Sequence, residues 1–295
     1  MKWNTTRFTI DLSRPQVMGI VNVTPDSFSD GGKYASMPSA LQHCEQLIKE
    51  GADILDIGGE SSRPGALPLS TAEELARVLP VVREAVKLGV PVSVDTYKPE
   101  VMQVVLDLGA DIINDIWALR WRDAQSPLTQ PSGVQLVSQH GRCGVCLMHM
   151  HREPQTMQTA TMEGDVVPQV VSFLKQVSIA LQKRGVEKDR IVLDPGIGFG
   201  KTIAQNFALL ARQTELLSLG QPLVAGWSRK SSLATVVGSA TGNEGIMDVQ
   251  ERLVPSVVAA VLAVERGASI VRVHDVRQTV QALCVLNAIK SLANF

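Results

Sequence analysis

Side chains that can bind or react recur at the ends of short apolar segments of this chain. They are carboxylates, amides, imidazoles and cations: Asn22, Asp56 with Glu60, Asp95, Asn114, His149, Asp194, Lys230, and Arg272 with His274. Each has an ordinary explanation when taken alone, such as capping a helix or completing a turn. Their recurrence favours a shared site, because carboxylates that converge repel one another unless they bind a partner.

The mixture of residue types indicates what such a site would bind. Two carboxylates and an amide can pair with the N–H and amino edge of a flat heterocycle. Lys230 adds a point charge for a carbonyl oxygen or a ring nitrogen. Arg63, Arg272 and His274 supply donors for an anionic group such as phosphate. The residues therefore predict a heterocycle pocket beside an anion pocket.

A glycine-rich segment, PGIGFGKT at residues 195–202, resembles a nucleotide-binding loop at first sight. Pro195, however, stands where a phosphate-binding loop needs its first glycine. Lys201 stands where the third glycine of the dinucleotide-binding fingerprint belongs. The glycines are better explained by the close approach of the backbone to a flat ligand lying against the preceding strand.

A C-x-x-C pair, Cys143 and Cys146, raises the question of zinc or redox chemistry. The pair lies at the start of a predicted strand, in which residues three apart point to opposite faces. Zinc sites of this type also need a second pair of ligands, and the sequence shows none. We therefore interpret both cysteines as small buried side chains.

The elements that must position these residues alternate between apolar segments and stretches with helical spacing. The predicted strands are residues 17–21, 52–59, 90–94, 109–115, 144–148, 190–194, 222–226 and 268–275, and the predicted helices include 39–50, 164–184, 204–217 and 249–266. No strand shows the alternation of an exposed antiparallel sheet, which favours parallel strands buried on both faces. Eight such units predict one domain, residues 1–295, with the α/β fold of a (β/α)8 TIM barrel. An open doubly wound sheet is the alternative.

Composition and charge argue against several classes of function. The 295 residues are 45% hydrophobic and 19% charged, with a formal net charge of −1, as expected for a well-buried globular protein. No polybasic run supports nucleic-acid binding. No apolar segment approaches membrane-spanning length, and residues 1–7 lack the apolar core of a secretory signal. We therefore expect a cytoplasmic protein that binds neither nucleic acid nor membrane.

Motifs spread over about residues 15 to 290 together resemble the signatures of the dihydropteroate synthases. In chain order they are MGIVNVTPDSFSDGG (18–32), DIGGESSRPGA (56–66), SVDT (93–96), ND (114–115), MHM (148–150), DPGIGFGK (194–201), SRKS (228–231) and RVHD (272–275). Several motifs in family order make the resemblance highly specific. One departure is Ser62, which stands where the family commonly has Thr.

The resemblance implies a transferase of folate biosynthesis that is a target of sulfonamides. Members join 6-hydroxymethyl-7,8-dihydropterin diphosphate to p-aminobenzoate and release diphosphate and 7,8-dihydropteroate. They use Mg²⁺, are cytoplasmic and are usually homodimers. Because the leaving group is a diphosphate, we expect an SN1-like step that depends on charge stabilisation.

The resemblance also implies roles for individual residues. Pterin binding is implied for Asp95, Asn114, Asp194 and Lys230; diphosphate binding for Asn22, Ser62, Arg63, Arg272 and His274, with Mg²⁺ at Asn22; and p-aminobenzoate binding for Ser62, Pro64, Phe199 and Ser231. Catalytic roles are implied for Arg63, Lys230, Arg272 and His274. We expect two mobile polar loops, about residues 23–36 and 61–70, to close over the carboxyl-terminal rim of the barrel.

Two rival functions remain open from the sequence. A pterin-binding methyltransferase domain resembles the same barrel, but it has no need of the Ser-Arg-Lys and Arg-x-His anion set. A non-catalytic pterin-binding protein would bind the pterin diphosphate without turnover. Diphosphate release on mixing the two substrates separates the first rival, and complementation of a folate auxotroph separates the second.

Overall fold

The structure, a computed structural model, describes residues 1–23, 37–63, 65–122, 131–242 and 247–293. Its strands are β1 (Lys2–Asn4), β2 (Thr9–Asp11), β3 (Gln16–Asn22), β4 (Ile54–Gly58), β5 (Val92–Asp95), β6 (Ile112–Asp115), β7 (Gly144–Met148), β8 (Ile191–Asp194), β9 (Val224–Ala225) and β10 (Ile270–Val273). Its α-helices are α1 (Met37–Lys49), α2 (Thr71–Ala85), α3 (Pro99–Asp107), α4 (Gly133–His140), α5 (Val166–Gln182), α6 (Ile203–Ala211), α7 (Ser231–Thr241), α8 (Leu253–Glu265) and α9 (Val276–Ala293). The first polar loop lies almost entirely outside the described residues, as does Pro64.

Eight parallel strands form the centre of the fold. Their order is β8-β7-β6-β5-β4-β3-β10-β9, so neighbours in the sheet are neighbours in the chain except where β10 pairs with β3. The two outer strands also meet, because the N–H of Leu193 donates to the carbonyl of Pro222 at 2.9 Å. The sheet is therefore closed, which confirms the predicted TIM barrel and shows that the open-sheet alternative was wrong.

Side chains alternate between the outside and the inside of the barrel. On β4, Leu55 and Ile57 pack in the layer between the strands and the helices, while Ile54 belongs to a cluster formed by interior residues of every barrel strand except β5. Asp56 points inward as well, toward residues of β6 and β10. Both faces of the strands are thus buried, and the charged residues Asp56, Asp95 and Arg272 lie in the interior toward the carboxyl ends.

A short hairpin that the sequence analysis missed covers the amino-terminal end of the barrel. β1 and β2 pair antiparallel, and Trp3 at their centre has a fully buried side chain. The indole Nε1 of Trp3 donates to the carbonyl of Arg190 at 3.0 Å, and its ring packs in the interior cluster with Met18 and Ile54. Each strand has only three residues, too few to show a periodic pattern.

Most helices begin within two residues of the predicted start, although α8 begins four residues later than predicted, and not all of them end where predicted. A capping box starts α2, since Ser70 accepts from the N–H of Glu73 and Glu73 accepts from that of Ser70. The predicted helix 204–217 is α6 followed by 3₁₀ turns at Gln213–Leu219. α7 was not predicted, because its serine, threonine and glycine residues weaken the apolar spacing.

The cysteine interpretation is confirmed for the pair in question. Cys143 packs outside the barrel and Cys146 inside it, and both are buried with free thiols. Burial raises the pKa of each thiol above its ordinary value, which opposes metal binding and nucleophilic reactivity. Within the described ranges, no three or more histidine, cysteine or acidic side chains cluster as a metal site would require.

No helix in the part of the chain that the structure describes is both long and apolar enough to cross a membrane.

Candidate active site

An arginine holds two carboxylates together at the carboxyl-terminal rim of the barrel. Arg272 on β10 donates from Nε to Oδ2 of Asp56 at 2.6 Å and from Nη2 to Oδ2 of Asp95 at 2.7 Å. Asn114 donates from Nδ2 to the same oxygen of Asp56 at 3.1 Å. The ends of β4, β5, β6 and β10 thus bring four polar side chains to one point, as the sequence analysis predicted.

The position of Arg272 differs from its implied role in one respect. Sequence reasoning placed its guanidinium on a diphosphate, whereas in the structure it also neutralises Asp56 and Asp95. Burial opposes its charge, but these two carboxylates hold the pKa of Arg272 above its ordinary value. Its Nη1 makes no hydrogen bond with any described residue. The N–H donors of Nη1, at one edge of the guanidinium, therefore remain available for a ligand.

Two rim carboxyl groups lie in surroundings that favour the protonated form. Burial raises the pKa of Asp95 to about 7, against the opposing effect of Arg272 and with a further contribution from Asp56. Burial also raises the pKa of Asp194, although the N–H of Gly196 donates to its Oδ1 at 2.6 Å and opposes the shift. Carboxyl groups in a cleft whose pKa values are raised by burial are typical of ligand-binding and catalytic sites.

Lys230 enters the same site from the segment after β9. Its ammonium lies 4.4 Å from the ring centroid of Phe199, within the range of a cation–π contact. Burial lowers the pKa of Lys230 to about 8, and the charge of Asp194 opposes that shift. Lys230 is also the residue that precedes α7, so the amino terminus of this helix faces the rim with Ser231 as its first residue.

The glycine-rich loop after β8 is shaped by contacts within the protein. Gly196 and Gly200 have φ angles of 68° and 71°, and a Cβ at either would overlap the backbone of His149 or His151. The interpretation of these two glycines as room for a flat ligand was therefore wrong, because neighbouring backbone fills the space. Their role is to let the loop lie against the segment after β7.

A buried ammonium organises this loop from below. Nζ of Lys201 donates to the carbonyls of Gly196 at 2.8 Å and Phe199 at 3.1 Å, and it lies 2.9 Å from Nδ1 of His149. Burial lowers the pKa of Lys201 to about 7 and that of His149 to about 2. His149 therefore accepts from Lys201 and stabilises the loop, instead of facing the rim as the sequence suggested.

An imidazole lies beside the cations of the rim. His274, just after β10, has Nδ1 at 2.9 Å from Oγ of Ser228. Burial, together with the charges of Arg229, Arg272 and Arg63, lowers the pKa of His274 to about 3. Arg63 itself lies exposed in the loop after β4. Its charge contributes to lowering the pKa values of both His274 and Lys230, which indicates that Arg63 lies on the same side of the barrel as these two residues.

The loop after β4 is fastened at its base by a buried ion cluster. Nζ of Lys98 pairs with Glu60 and donates to Oε2 of Glu74 at 2.5 Å. Glu60 also accepts from the hydroxyl of Tyr97 at 2.7 Å and from the N–H of Leu69 at 3.0 Å. Both ends of the loop are thus attached to the barrel.

The structure brings most of the predicted site residues to one rim. The residues that it places together are Asp95, Asn114, Asp194, Phe199, Lys230, Arg272 and His274. Ser62 lines a small cavity beside Asp95. Asn22 ends β3, next to Gly58 of β4. Pro64 lies outside the described residues.

Three residues have structural roles in the site that the sequence analysis did not predict. Ser228 contacts His274, Gly196 donates to Asp194, and Lys201 holds the carbonyls of the loop. Their motifs were recognised, but contacts between different strand ends cannot be read from spacing. A serine directly before two cations was the one available signal for Ser228.

A model of the family described as "Pterin binding enzyme" matches residues 18–274 of this chain. A relative from Neisseria meningitidis serogroup B, a dihydropteroate synthase, is 47% identical over 97% of both chains. The crystal structure of the Yersinia pestis dihydropteroate synthase with a sulfonamide drug complex superimposes with a TM-score of 0.87 and 41% identity, covering 99% of this chain and 100% of that one. The Burkholderia cenocepacia enzyme complexed with 7,8-dihydropteroate gives a TM-score of 0.85 and 45% identity, with 99% and 98% covered.

The barrel and its rim thus define a pterin-binding enzyme. The chain belongs to the dihydropteroate synthase family, whose members are transferases.

Proposed function

We propose that this chain joins 6-hydroxymethyl-7,8-dihydropterin diphosphate to p-aminobenzoate, releasing diphosphate and 7,8-dihydropteroate. The observation that carries the proposal is the convergence on one rim of Asp95 and Asp194 with Lys230 and Arg272. A pterin needs carboxylates for its N–H edge, and a departing diphosphate needs cations. The related enzyme solved with 7,8-dihydropteroate supports the same reaction.

The acidic side of the rim is our proposed pterin pocket. Asp95, Asp194 and Asn114 offer oxygen acceptors and an amide donor to the edge of the heterocycle. Lys230 faces them with a cation of lowered pKa, suited to a ring nitrogen or a carbonyl oxygen. Binding of a neutral, hydrogen-bonding ring is favoured here because the buried carboxylates otherwise lack enough donors.

The cationic side is our proposed diphosphate pocket. It comprises Asn22, Ser62, Arg63, Arg272 and His274. Arg272 contributes the guanidinium nitrogen that is not used by the two carboxylates. His274 contributes a neutral imidazole, because burial keeps its pKa at about 3. The exposed side chain of Arg63 can close over the anion with its loop.

The donors at the end of β3 fit Mg²⁺, which we propose to bind at Asn22. An amide oxygen is a hard ligand, and Mg²⁺ at phosphate sites usually takes few protein ligands together with water and phosphate oxygens. The lack of a cluster of three metal-binding side chains among the described residues is compatible with such a site. When bound, the ion would neutralise charge on the diphosphate.

The p-aminobenzoate pocket is proposed between the loop after β4 and the start of α7. Ser62, Pro64, Phe199 and Ser231 would line it. Phe199 offers an aromatic ring held beneath Lys230, and Ser231 stands at a helix amino terminus that has no side-chain cap. Unpaired N–H groups at such a terminus favour the carboxylate of p-aminobenzoate.

The proposed reaction is dissociative and depends on charge. Arg63, Arg272, His274 and Lys230 stabilise the negative charge that grows as the C–O bond to diphosphate breaks. Carboxylates on the opposite side, Asp95 and Asp194, stabilise the positive charge left on the pterin methylene. The aryl amine then attacks the cation. The loop after β4 excludes water, which would otherwise trap that cation.

The test is Asp194→Asn, assayed by incorporation of radiolabelled p-aminobenzoate and by diphosphate release. We expect kcat/KM to fall by about 100-fold or more, because charge-assisted contacts to the pterin disappear. Asp165→Asn is the matched control. Asp165 is an exposed carboxylate that pairs with Arg212 on the outer surface, so its loss should leave kcat/KM unchanged.

An Asp194→Asn enzyme with wild-type kcat and KM contradicts the pterin assignment. Release of diphosphate only in the presence of both substrates separates a synthase from a methyltransferase. Complementation of a folate auxotroph separates it from a protein that binds pterin without turnover.

We further propose a homodimer that associates through α8 and α9. Exposed apolar side chains line these helices, among them Val254, Val258, Val285 and Ile289. Exposed apolar side chains on two neighbouring helices suit a second copy of the chain, which would bury them by two-fold symmetry.

Ile289→Glu tests the dimer by light scattering after gel filtration. Ile289 is 60% exposed, and a charge there should shift the mass toward the monomer. Ile179→Glu is the control, since this isoleucine is 42% exposed on α5 and should leave the mass unchanged. A monomeric wild-type protein, or an Ile289→Glu protein of unchanged mass, contradicts the proposal.

We also propose that residues 1–295 form a single domain and that the protein is cytoplasmic.

A further inference from the structure

Two hydrogen bonds connect the segment after β9 to the segment after β10. The backbone N–H of His274 donates to Oγ of Ser228 at 3.0 Å. The same Oγ lies 2.9 Å from Nδ1 of the His274 ring. Ser228 is buried, and neither contact was assigned a role in binding or catalysis.

These two contacts fix where the protons lie. The serine oxygen already accepts the backbone N–H, so its own hydroxyl proton is free to donate. Nδ1 of His274 is the partner in reach. If the ring instead donated from Nδ1, the buried hydroxyl proton would have no acceptor among the described residues, which costs free energy. The arrangement that satisfies every donor is Ser228 donating to an unprotonated Nδ1.

A neutral imidazole carries one N–H, and in this arrangement it is on Nε2. The ring is neutral because it is buried beside Arg229, Arg272, Arg63 and Lys230. A charged ring would carry a proton on both nitrogens, and the serine would then have no influence on which nitrogen donates. Because the ring is neutral, the hydrogen bond from Ser228 determines which ring nitrogen carries the proton.

We propose that Ser228 is a positioning residue that holds His274 in the tautomer with its proton on Nε2, so that the ring donates a hydrogen bond to the leaving diphosphate. The inference rests on the proposed function of this rim. Ser228 acts through His274 and does not itself touch the reacting atoms.

The segment that carries Ser228 is rigid enough for this role. Arg229 adopts a φ of 58°, and its guanidinium forms two hydrogen bonds, of 3.1 and 2.7 Å, with Asp275. Its N–H donates to Oγ of Ser256 at 2.8 Å. Arg229 follows Ser228 and Asp275 follows His274, so this ion pair connects the two segments directly beside the Ser228–His274 contact. The Arg229–Asp275 ion pair thereby holds the Ser228 hydroxyl at hydrogen-bonding distance from the His274 ring.

The first readout is the tautomer itself, measured by ¹⁵N NMR on protein labelled at histidine. The chain has five histidines, and the His274→Gln spectrum identifies the signals of His274. In the ligand-free wild type we expect a protonated Nε2 and an unprotonated Nδ1. In Ser228→Ala we expect averaged shifts that indicate both tautomers. Ser232→Ala is the matched control, because this buried serine contacts Asn206 and not the imidazole.

The second readout is kinetic. Ser228→Ala should lower kcat by about three- to tenfold, as expected for the loss of one oriented hydrogen bond, with the KM for p-aminobenzoate unchanged. Ser228→Thr keeps the hydroxyl and should restore both the tautomer and most of kcat. A variant that fails to fold is recognised by its NMR spectrum, and the wild-type tautomer then decides the question.

A wild-type ring protonated on Nδ1 overturns the proposal, and so does a Ser228→Ala protein with an unchanged tautomer. Because the tautomer is measured without substrate, these results are independent of the proposed reaction. Titration with inorganic diphosphate tests the link between them. A shift of the Nε2 signal supports the proposed contact, whereas a correct tautomer whose Nε2 signal does not respond overturns the role toward diphosphate alone.

Discussion

Replacing Arg272 by Met removes the cation that two carboxylates of the rim share. Asp56 is fully buried, and breaking a buried ion pair by removing one partner costs about 3–5 kcal/mol. An unfolding entropy of about 2.1 cal/mol/K per residue gives about 0.6 kcal/mol/K for a chain of 295 residues. We therefore expect Arg272→Met to lower Tm by about 5–8 °C, as well as to abolish activity.

A double-variant cycle separates the ion pair from the packing of the side chain. Asp56→Asn removes one carboxylate charge, so Arg272→Met should cost less in that background. We expect the double variant to lie about 2.5 °C or more above the sum of the single losses, which corresponds to a coupling of about 1.5 kcal/mol. The measurement is calorimetry without ligand at pH 7.5 and at a fixed scan rate.

The control for this cycle is Arg266→Met. Arg266 pairs with Glu265 on the surface, and exposed pairs contribute about 1 kcal/mol at most, so Tm should fall by less than about 2 °C. The reasoning is refuted if Arg272→Met unfolds within 2 °C of the wild type, or if the losses of the two single variants simply add.

Three further changes test other parts of the structure. Trp3→Ala should lower Tm by about 5–8 °C through a cavity costing about 3–5 kcal/mol, while the KM for the pterin diphosphate is unchanged. Lys201→Met should remove a rise of Tm between about pH 7 and pH 10. In that window the unfolded lysine, with a pKa of 10.5, binds a proton that the folded one, with a pKa of about 7, has lost, so wild-type stability increases with pH. Gly196→Ala should give little folded protein, because the new Cβ would overlap the carbonyl of His149. Gly65→Ala is the control: nothing lies near its Cβ, so the variant should fold and lose only about 1–2 kcal/mol of unfolding free energy through its positive φ, which a thermal melt measures.

The sequence predicted the barrel because the fold is built from local patterns. Apolar segments end in polar residues at Asp56, Asp95 and Asn114, and parallel strands place such ends on the same rim. If the eight strands close into a barrel, the residues at their carboxyl ends must lie on one rim, so these residues could be predicted without knowing their contacts. Lys230 was among these residues, whereas the position of Phe199 followed from the resemblance to the family.

The contacts between rim residues could not be predicted from the sequence. Arg272 and Asp56 are 216 positions apart, and their pairing depends on the closure of the barrel and on the inward direction of both side chains. The same holds for Lys201, whose role became evident only when the carbonyls around it were located. A lysine whose partners are backbone carbonyls cannot be recognised from the sequence, because every residue has a backbone carbonyl and no particular side chain marks the partner.

The hairpin at the beginning of the chain has a consequence for biosynthesis. Trp3 hydrogen-bonds to a carbonyl 187 positions later, so it cannot reach its final place until Arg190 has emerged from the ribosome. Until then, the apolar layer around Met18 and Ile54 has no cover at that end, and nascent chains with such surfaces are substrates for chaperones. Trp3 and its hairpin, although translated long before Arg190, are therefore among the last parts of the barrel to be fixed in place.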